Sequence, residues 1–444
     1  MLEKIGAFLD KVDNIVWGAP LIVLLLAVGL FLTIRLKGIQ FRKLGHGLKN
    51  MFSKEGEGHG EVSSFGALCT ALSATIGTGN IVGVATAIVA GGPGALFWMW
   101  ICGIMASAFK YAEIVLGIKY RIVDENGEYT GGPMYYLRKI TPWLGSLYAA
   151  IFVLELIPAV ANQAASVTDI GTVAGIPKAA SAVVIAVIIL VVVWGGIRRI
   201  ADVMNAVVPF MSVAYFVGVL VIIAMNITKL PEVVLLIFKC AFTGHAATGG
   251  FAGATLAITI RWGLARGVGS NDAGNGQSSI AHASAITDHP ARQGMWGIFE
   301  VVLDTLVICT LTGLAILVTD AWKVTDSSMA STLAAVAFQS VMGNMGAIFV
   351  NIITFLFCIT TIVVIIYYGE RLAIYLFGKN IGRFAPVFYT IASVLGAFGS
   401  VDVLINFLDI MFAGIIIPNV IGLFILRKEI KEQTDDFFLH ERFK

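Results

Sequence analysis

The chain contains eleven apolar segments, each long enough to cross a lipid bilayer as an α-helix. A hydrocarbon core about 30 Å thick needs roughly 20 apolar residues per helix. Of the residues, 58% are hydrophobic and only 13% are charged, and the charges lie mostly between the apolar segments. This pattern excludes a soluble enzyme and predicts an all-α integral membrane protein. The predicted spans cover residues 16–35, 64–91, 94–118, 144–172, 179–197, 202–226, 248–287, 294–321, 346–376, 381–399 and 401–426.

The distribution of Lys and Arg between the spans predicts the orientation of the chain, because positively charged loops stay on the cytoplasmic side. With the N-terminus outside, the cytoplasmic segments hold 21 Lys and Arg, and the outer segments hold 6. We therefore expect an outer N-terminus and a cytoplasmic C-terminus. Two shorter apolar stretches, 233–242 and 329–342, fit helices that lie on the membrane surface and are not counted as spans.

Two of the spans are interrupted by glycine and polar residues. The second span carries the run Ser-Ala-Thr-Ile-Gly-Thr-Gly-Asn at 73–80, and the seventh carries a longer polar run at 266–279. Such residues form helices poorly, and hydrocarbon does not tolerate free backbone groups unless they line a cavity or bind something. Gly77 and Gly79 alone also fit a close helix-packing interface, whereas the run in the seventh span exceeds what packing requires.

The positions of the two interruptions predict an inverted repeat. They lie five spans apart, so the two interrupted helices cross the membrane in opposite directions. Paired interruptions in corresponding positions of two halves are typical of a secondary transporter with its binding site near the midplane. We expect an N-terminal helix and loop at 1–63, a first five-helix repeat at 64–226, an outer connection at 227–247, a second repeat at 248–426 and a cytoplasmic tail at 427–444.

A series of motifs in this order resembles the alanine or glycine:cation symporter family. The match runs from the first span to the end of the ninth. It rests on Ala71–Ala87, Gly91–Ala95, Phe97–Trp100, Lys110–Glu113, Gly131–Tyr136, Ala265–Gly267, Ser270–Gly274, Thr287–Pro290 with Arg292 and Gln293, and Tyr367–Arg371.

The resemblance implies a fold similar to that of the leucine transporter. That fold has two inverted repeats of five helices, with the first helix of each repeat unwound at mid-membrane. In this chain one extra N-terminal helix would precede the repeats, which gives eleven transmembrane helices. The unwound helices are those of the second and seventh spans.

The resemblance also implies a substrate site. The backbone amides of Thr78 and Gly79 would hold the substrate carboxylate, and the unwound stretch from Gly269 would take the amino group. Gln163 lies midway along the fourth span and either lines this pocket or clamps two helices together. The expected substrate-binding residues are Thr78, Gly79, Gln163, Gly269, Ser270, Asn271, Asp272, Gly274 and Asn275.

By the same resemblance, one sodium ion would lie between the second and ninth spans. Its ligands would be the carbonyls of Ser73 and Ile76 and the hydroxyls of Thr360 and Thr361. A second sodium ion could use Thr75 and the side chain of Asn80.

The chain departs from the family pattern near the expected pocket. Asp272 stands where the family usually has Glu, and Asn275 stands where it usually has Leu. Ile365 and Ile366 precede the tyrosine pair of the ninth span, where a Trp is common. These departures bear on the size and stereochemistry of the substrate.

Several ionisable residues lie within the spans, where polar groups are usually functional or paired. Glu300 and Asp304 are four residues apart and share a helix face, so we expect a buried partner such as Arg266 or Lys110 in preference to a proton relay. Glu113 is expected to pair with Lys110. Asp272 could pair with Arg266, cap the second half of the broken helix, or contact the substrate amine. The spacing of the histidines gives no metal site.

The sequence and the resemblance together predict a sodium-coupled symporter that imports alanine and glycine by alternating access. A proton-coupled amino-acid porter, with Asp272 or Asp304 titrating, is the alternative, and an ion channel is a further one. No nucleophile, metal or phosphate-binding motif suggests an enzyme. We expect Na⁺ as the coupling ion, no organic cofactor, no nucleic-acid partner, a monomer surrounded by lipid, and a location in the plasma membrane.

Overall fold

The structure is a computed structural model that describes residues 8–9, 11–13, 15–45, 58–124, 127–173, 175–243, 255–323, 332–398 and 402–439. The fold is mostly helical. The helices of the first part of the chain are α1 (Ala19–Arg35), α2 (Ile39–Arg42), α3 (Ser64–Thr75), α4 (Val84–Gly91), α5 (Ala95–Lys119), α6 (Pro133–Ile140), α7 (Pro142–Val173), α8 (Lys178–Val193), α9 (Gly196–Met225) and α10 (Leu230–Thr243). Those of the second part are α11 (Leu256–Asn271), α12 (Ser278–His282), α13 (Pro290–Val301), α14 (Thr310–Val318), α15 (Leu333–Met342), α16 (Asn344–Phe377), α17 (Lys379–Gly382), α18 (Ala385–Gly396), α19 (Asp402–Ile425) and α20 (Arg427–Leu439).

Short irregular elements join these helices. Gly79–Gly83 and Val302–Cys309 are π-helical, and Ile227–Lys229 and Ala321–Lys323 are 3₁₀ turns. The all-α prediction missed an antiparallel hairpin of two short strands, β1 (Ile122–Val123) and β2 (Tyr129–Thr130). The two segments predicted to lie on the membrane surface, 233–242 and 329–342, correspond to helices α10 and α15. Residues 329–331 fall outside the described residues.

Within the described residues, six helices are long and apolar enough to cross a membrane. The pair Ser64–Thr75 and Gly79–Gly91 passes the same test as one span bent by 54°, which makes seven. The other predicted spans correspond to shorter helices, and the seventh is divided between α11 and α12, with residues 248–254 outside the described part. The number eleven therefore stays a prediction. The six are Ala95–Lys119, Pro142–Thr172, Gly196–Met225, Pro290–Val318, Asn344–Phe377 and Phe407–Ile425.

Local signals set the ends of the first broken helix. The Ser63 hydroxyl caps the start of α3 by accepting a hydrogen bond from the Gly66 amide (2.9 Å). At the far end of α4, Gly92 has a φ of 78°, a conformation that glycine adopts without strain. Both ends of the broken helix are thus fixed by local signals, and the interruption lies between them.

Helix packing places the two interrupted helices at the centre of the fold. Helix α7 packs most extensively against α16, and also against α18 and α19. Helix α11 packs directly against α4 and the π-helical turn Gly79–Gly83, which brings the second interrupted helix beside the first, and α5 packs against α11 and α13. Both interruptions are therefore surrounded by other helices. This is required because backbone N–H and C=O groups that leave a helix inside a membrane must find partners within the protein.

One end of the bundle is held by charged groups around the β1–β2 hairpin. Arg371, at the end of α16, contacts Glu128 (2.6 Å) and Asp124 (3.5 Å). Arg121 donates hydrogen bonds to the carbonyls of Ala283 (3.0 Å) and Ala285 (2.8 Å) beyond α12. The hairpin thus ties the ends of both repeats together at the side predicted to be cytoplasmic.

The predicted orientation can be tested by cysteine labelling, since the five native cysteines are all buried. We expect Thr228→Cys, in the exposed turn before α10, to react with a membrane-impermeant maleimide in intact cells. Asn380→Cys, in the exposed α17, should react only after permeabilisation. The reverse labelling pattern would contradict an outer N-terminus.

Candidate functional site

The first interruption lies between Thr75 and Gly79. Helix α3 ends at Thr75, and the π-helical turn begins at Gly79. The Asn80 side chain bridges the gap, because its Oδ1 accepts a hydrogen bond from the Gly77 amide (2.9 Å). Its Nδ2 donates to Ser270 Oγ (3.0 Å) and to Asp304 Oδ1 (2.6 Å). Asn80 therefore connects this interruption to the second broken helix and to the π-helical segment 302–309.

The second interruption runs from Asp272 to Gln277, where the backbone turns sharply. Asp272 has a left-handed φ of 54°, and Gly274 and Gly276 have φ values of 88° and 83°. Positive φ costs little at glycine but is strained at an aspartate, so the surroundings must hold Asp272 in place. Its carboxylate accepts a hydrogen bond from the Gln277 side chain.

Side chains from three other helices satisfy the backbone of this second interruption. The Gly274 amide donates to Glu113 Oε1 on α5 (2.9 Å), and Asn419 Nδ2 on α19 donates to the Gly274 carbonyl (2.9 Å) and to Glu113 Oε1 (2.8 Å). The Tyr148 hydroxyl on α7 donates to the Asn275 carbonyl. Glu113 was expected to pair with Lys110, and this was wrong, because its carboxylate holds the broken backbone instead.

The first interruption touches the last turn of α11 at Gly79. A Cβ atom added there would lie 3.1 Å from the Gly269 carbonyl oxygen and 3.2 Å from the Ser270 Cα. A side chain at this position would therefore fit only if α11 moved by a few tenths of an ångström. Glycine at 79 allows this close backbone approach without such a shift.

A cavity of about 370 Å³ opens beside this contact. Five of the expected substrate-binding residues line it: Thr78, Gly79, Gln163, Gly269 and Asp272. Gln163 approaches the first interruption, since a Cβ at Gly77 would lie 3.2 Å from its Nε2 and 2.8 Å from Thr361 Oγ1. This position favours a role for Gln163 in lining the pocket.

The other expected substrate-binding residues are buried beside the cavity and bonded to protein groups. Ser270 Oγ donates to Asp304 Oδ2 (3.0 Å), and Asn271 Nδ2 donates to Thr305 Oγ1 (3.1 Å). Asn275 Oδ1 accepts a hydrogen bond from the Gln277 amide (2.9 Å), and Gly274 makes the contacts described above. These four residues shape the interruption.

Three of the four groups expected to bind sodium come together. The Thr361 hydroxyl lies 2.8 Å from the Ser73 carbonyl and 3.3 Å from the Ile76 carbonyl. Two carbonyls and a hydroxyl are hard oxygen ligands of the kind that a small cation prefers. The Thr361 hydroxyl also lies 2.8 Å from the Phe357 carbonyl of its own helix. The Thr360 hydroxyl does not reach the Ser73 and Ile76 carbonyls, and among the described residues its hydrogen bonds go only to Leu356 (2.9 Å) and Phe357 (3.0 Å) of its own helix and to the Met211 sulfur.

The two residues of the expected second sodium site do not share a common contact. Thr75 Oγ1 donates to the Leu72 carbonyl (3.3 Å), while Asn80 uses its amide group to hold Gly77, Ser270 and Asp304. Thr75 nevertheless lines the cavity.

The cavity also contains polar residues that sequence reasoning did not assign to the site. They are Thr86, Glu155, Asn162, Ser166, Arg266, Gln277 and Asp409. Arg266 lies 3.6 Å from Asp409, so the suggested pairing of Arg266 with Asp272 was wrong. Carboxylates inside apolar spans are a signal for a functional site, and this signal was present at positions 155 and 409.

A buried ion network lies next to the second interruption. Lys110 Nζ lies 3.0 Å from Glu300 Oε1 and also contacts Ser278. Glu300 Oε2 lies 3.5 Å from His282 Nε2. The expectation of a basic partner is thus met at Glu300. It is not met at Asp304, whose carboxylate accepts hydrogen bonds from Asn80, Ser270 and Thr305 (2.8 Å).

Comparison with known proteins places this geometry in context. The sequence matches the family model described as "Sodium:alanine symporter family" over residues 2–443. It is 41% identical over 449 residues to an uncharacterized transporter, YflA, of Bacillus subtilis, covering 100% of this chain and 95% of the relative. It is 41% identical over 444 residues to the sodium/alanine symporter AgcS of Methanococcus maripaludis, covering 97% of each.

Solved structures support the fold. The crystal structure of MhsT in complex with L-phenylalanine superposes with a TM-score of 0.64, covering 85% of this chain and 93% of that one. The two sequences are 12% identical, so the similarity concerns the fold alone. This is the leucine-transporter fold that the family resemblance implies.

The Lys110–Glu300 pair makes a prediction about stability. Glu300→Gln leaves the Lys110 ammonium buried without its carboxylate partner, and breaking such a pair costs about 3–5 kcal/mol. We expect a clear fall in the melting temperature of the purified protein in detergent. The matched control is Glu232→Gln on α10, whose side chain is exposed, and it should melt as the wild type does. Equal melting of all three proteins would contradict the structural role of the pair.

Proposed function

The chain belongs to the sodium:alanine symporter family, and we propose that it is a sodium-coupled symporter that imports alanine and glycine by alternating access. The main support is the contact of the two broken helices at Gly79 and Gly269 beside a cavity that Thr361 also lines. Interrupted helices that meet around a cavity are the usual site of substrate and ion binding in such transporters.

The substrate carboxylate is placed at the backbone amides of Thr78 and Gly79, where the second half of the broken helix begins. Amides at a helix start carry a partial positive charge and favour an anion. The amino group is placed against the second interruption, where the Gly269 backbone and the Asp272 carboxylate line the same cavity. Together these groups offset the desolvation of a small zwitterion.

The coupling sodium ion is placed between the carbonyls of Ser73 and Ile76 and the hydroxyl of Thr361. A cation there would hold the end of α3 against α16 and fix the shape of the first interruption. That interruption also carries the carboxylate-binding amides. Sodium and amino acid would therefore raise each other's affinity by the same factor, as linkage requires. Thr360 would become a fourth ligand only by turning its hydroxyl away from its own helix.

The membrane arrangement follows the sequence prediction. We place the N-terminus outside, the C-terminus in the cytoplasm, and two inverted repeats at 64–226 and 248–426. Rocking of one group of helices against the other would expose the cavity to each side in turn. The transporter would work as a monomer in the plasma membrane.

The function is tested by alanine and glycine uptake into proteoliposomes. We expect accumulation against a concentration gradient when sodium is imposed as an inward gradient, and little uptake when potassium replaces it. An inward proton gradient without sodium separates the proton-coupled alternative. Uptake that does not saturate with substrate would favour a channel and contradict the proposal.

The sodium site is tested by Thr361→Val, which removes the hydroxyl and preserves the shape of the side chain. We expect the sodium concentration for half-maximal uptake to rise about tenfold or more, since a lost ligand contact of about 1.4 kcal/mol is a factor of ten. The matched control is Thr354→Val on the same helix, whose hydroxyl donates only to the Val350 carbonyl (2.8 Å). If the sodium dependence of Thr361→Val is unchanged, sodium does not bind at this position.

A further inference from the structure

The Glu155 side chain lies in the cavity wall, and its carboxylate has no protein partner. Glu155 lies on α7, is 5% exposed, and lines the cavity described above. Across the described part of the chain, no hydrogen bond or ion pair reaches its oxygen atoms. The buried carboxylates of Glu113, Glu300 and Asp304 each accept at least two hydrogen bonds. Glu155 is the exception among these four acidic side chains.

The charged groups around Glu155 do not neutralise the negative charge of its carboxylate. Asp409 on α19 and Asp272 at the second interruption are further carboxylates, and Arg266 on α11 is engaged with Asp409 (3.6 Å). Two tyrosines are also close, but their hydroxyl groups donate elsewhere. Tyr148 donates to the Asn275 carbonyl, and Tyr389 donates to the Val153 carbonyl (2.9 Å).

The charges that line the cavity are unbalanced. Three carboxylates, at Glu155, Asp272 and Asp409, face one guanidinium, at Arg266. Behind this lining, Lys110 acts on Asp272, and Arg261 acts with Arg266 on Asp409, whereas no positively charged group of the described residues acts on Glu155. A bound amino acid is a zwitterion and adds no net charge, and the sodium ion proposed at Thr361 is already assigned to the carbonyls of Ser73 and Ile76. An uncompensated buried charge is costly, so we expect a further positive charge to accompany the substrate at Glu155.

We propose that the Glu155 carboxylate is a second cation site, occupied by a sodium ion or a proton that is carried together with the amino acid. This inference rests on the proposed symport function and adds its stoichiometry, two positive charges for each amino acid. Both candidate occupants share the same chemistry, a monovalent positive charge placed on this carboxylate.

The position of Glu155 separates it from the groups placed around the substrate carboxylate, while Asp272, placed beside the substrate amine, lies among the charged groups around Glu155. Glu155 lies eight residues before Gln163 on α7, which is about 12 Å along the helix axis. Gln163 approaches the first interruption, where the substrate carboxylate is placed. The ammonium and carboxylate groups of alanine are attached to the same carbon atom, so a bound alanine extends over a much shorter distance.

The stoichiometry can be measured in proteoliposomes from the limit of alanine accumulation at fixed ion gradients and fixed membrane potential. In the wild type we expect the limit to correspond to two charges per alanine, and in Glu155→Gln to one. At a tenfold effective gradient of each cation, this lowers the accumulation limit from about 100-fold to about 10-fold. Glu155→Asp, which keeps the charge, and the exposed control Glu232→Gln should both retain two charges.

The identity of the ion follows from imposing one gradient at a time. If the second ion is sodium, the accumulation limit of the wild type depends on the square of the sodium gradient. If it is a proton, the limit depends on one sodium gradient and one pH gradient. Either result supports the proposal, provided that Glu155→Gln removes the second dependence.

One result would overturn the proposal, namely a Glu155→Gln variant that still moves as many charges per alanine as the wild type. If this variant also needs a higher alanine concentration for half-maximal uptake, Glu155 belongs to the substrate amine. A wild type without sodium-driven uptake would contradict the proposed function, and the cation site would then be judged from binding alone.

Binding to the purified protein gives that independent measurement. We expect sodium, or a lower pH if the ion is a proton, to raise the melting temperature of the wild type more than that of Glu155→Gln. The variant removes an unpaired buried charge, so its own melting temperature should not fall below that of the wild type. Equal cation-dependent shifts in both proteins would exclude a cation site at Glu155.

Discussion

The structure depends on one constraint, that backbone groups freed from a helix inside a membrane must find partners within the protein. The two interruptions meet this constraint in different ways. The first is short, and a residue of its own helix closes it, since Asn80 accepts the hydrogen bond of the Gly77 amide. The second is longer and is held from outside, by Glu113, Asn419 and Tyr148 on three other helices.

This difference determines which part of the site can respond to an ion. The second interruption is fixed by α5, α7 and α19, so its geometry changes only if those helices move. The first interruption has a local bridge, and Thr361 contacts the carbonyls at the end of α3. A cation at these carbonyls would therefore act directly on the first interruption, which also carries the amides placed around the substrate carboxylate.

The sequence predicted the all-α membrane class and the two interruptions, because these depend on local composition, while the residues expected to line the cavity, such as Thr78, Gly79 and Asp272, came from the family resemblance. Runs of glycine and polar residues at 73–80 and 266–279 identify a broken helix wherever they occur in an apolar span. Pair partners depend on three-dimensional packing, and there the predictions were right only in part. Lys110 pairs with Glu300 as one of the expectations had it, but not with Glu113 on its own helix, and Arg266 pairs with Asp409 instead of Asp272. Position along one helix does not show which side chain of another helix will face it.

Asn80 connects parts of the site that lie far apart in the sequence. Its Oδ1 holds the first interruption, and its Nδ2 reaches Ser270 on the second broken helix and Asp304 in the π-helical segment. The wider turn of a π-helix is common at functional positions. Here the π-helical segment carries Asp304, whose carboxylate accepts hydrogen bonds from Asn80 and Ser270. A change in the first interruption that displaces Asn80 must therefore break hydrogen bonds to the second repeat or move the second repeat with it. Since both interruptions line the same cavity, this network provides a physical route by which ion binding at α3 and α16 reaches the groups placed around the amino acid.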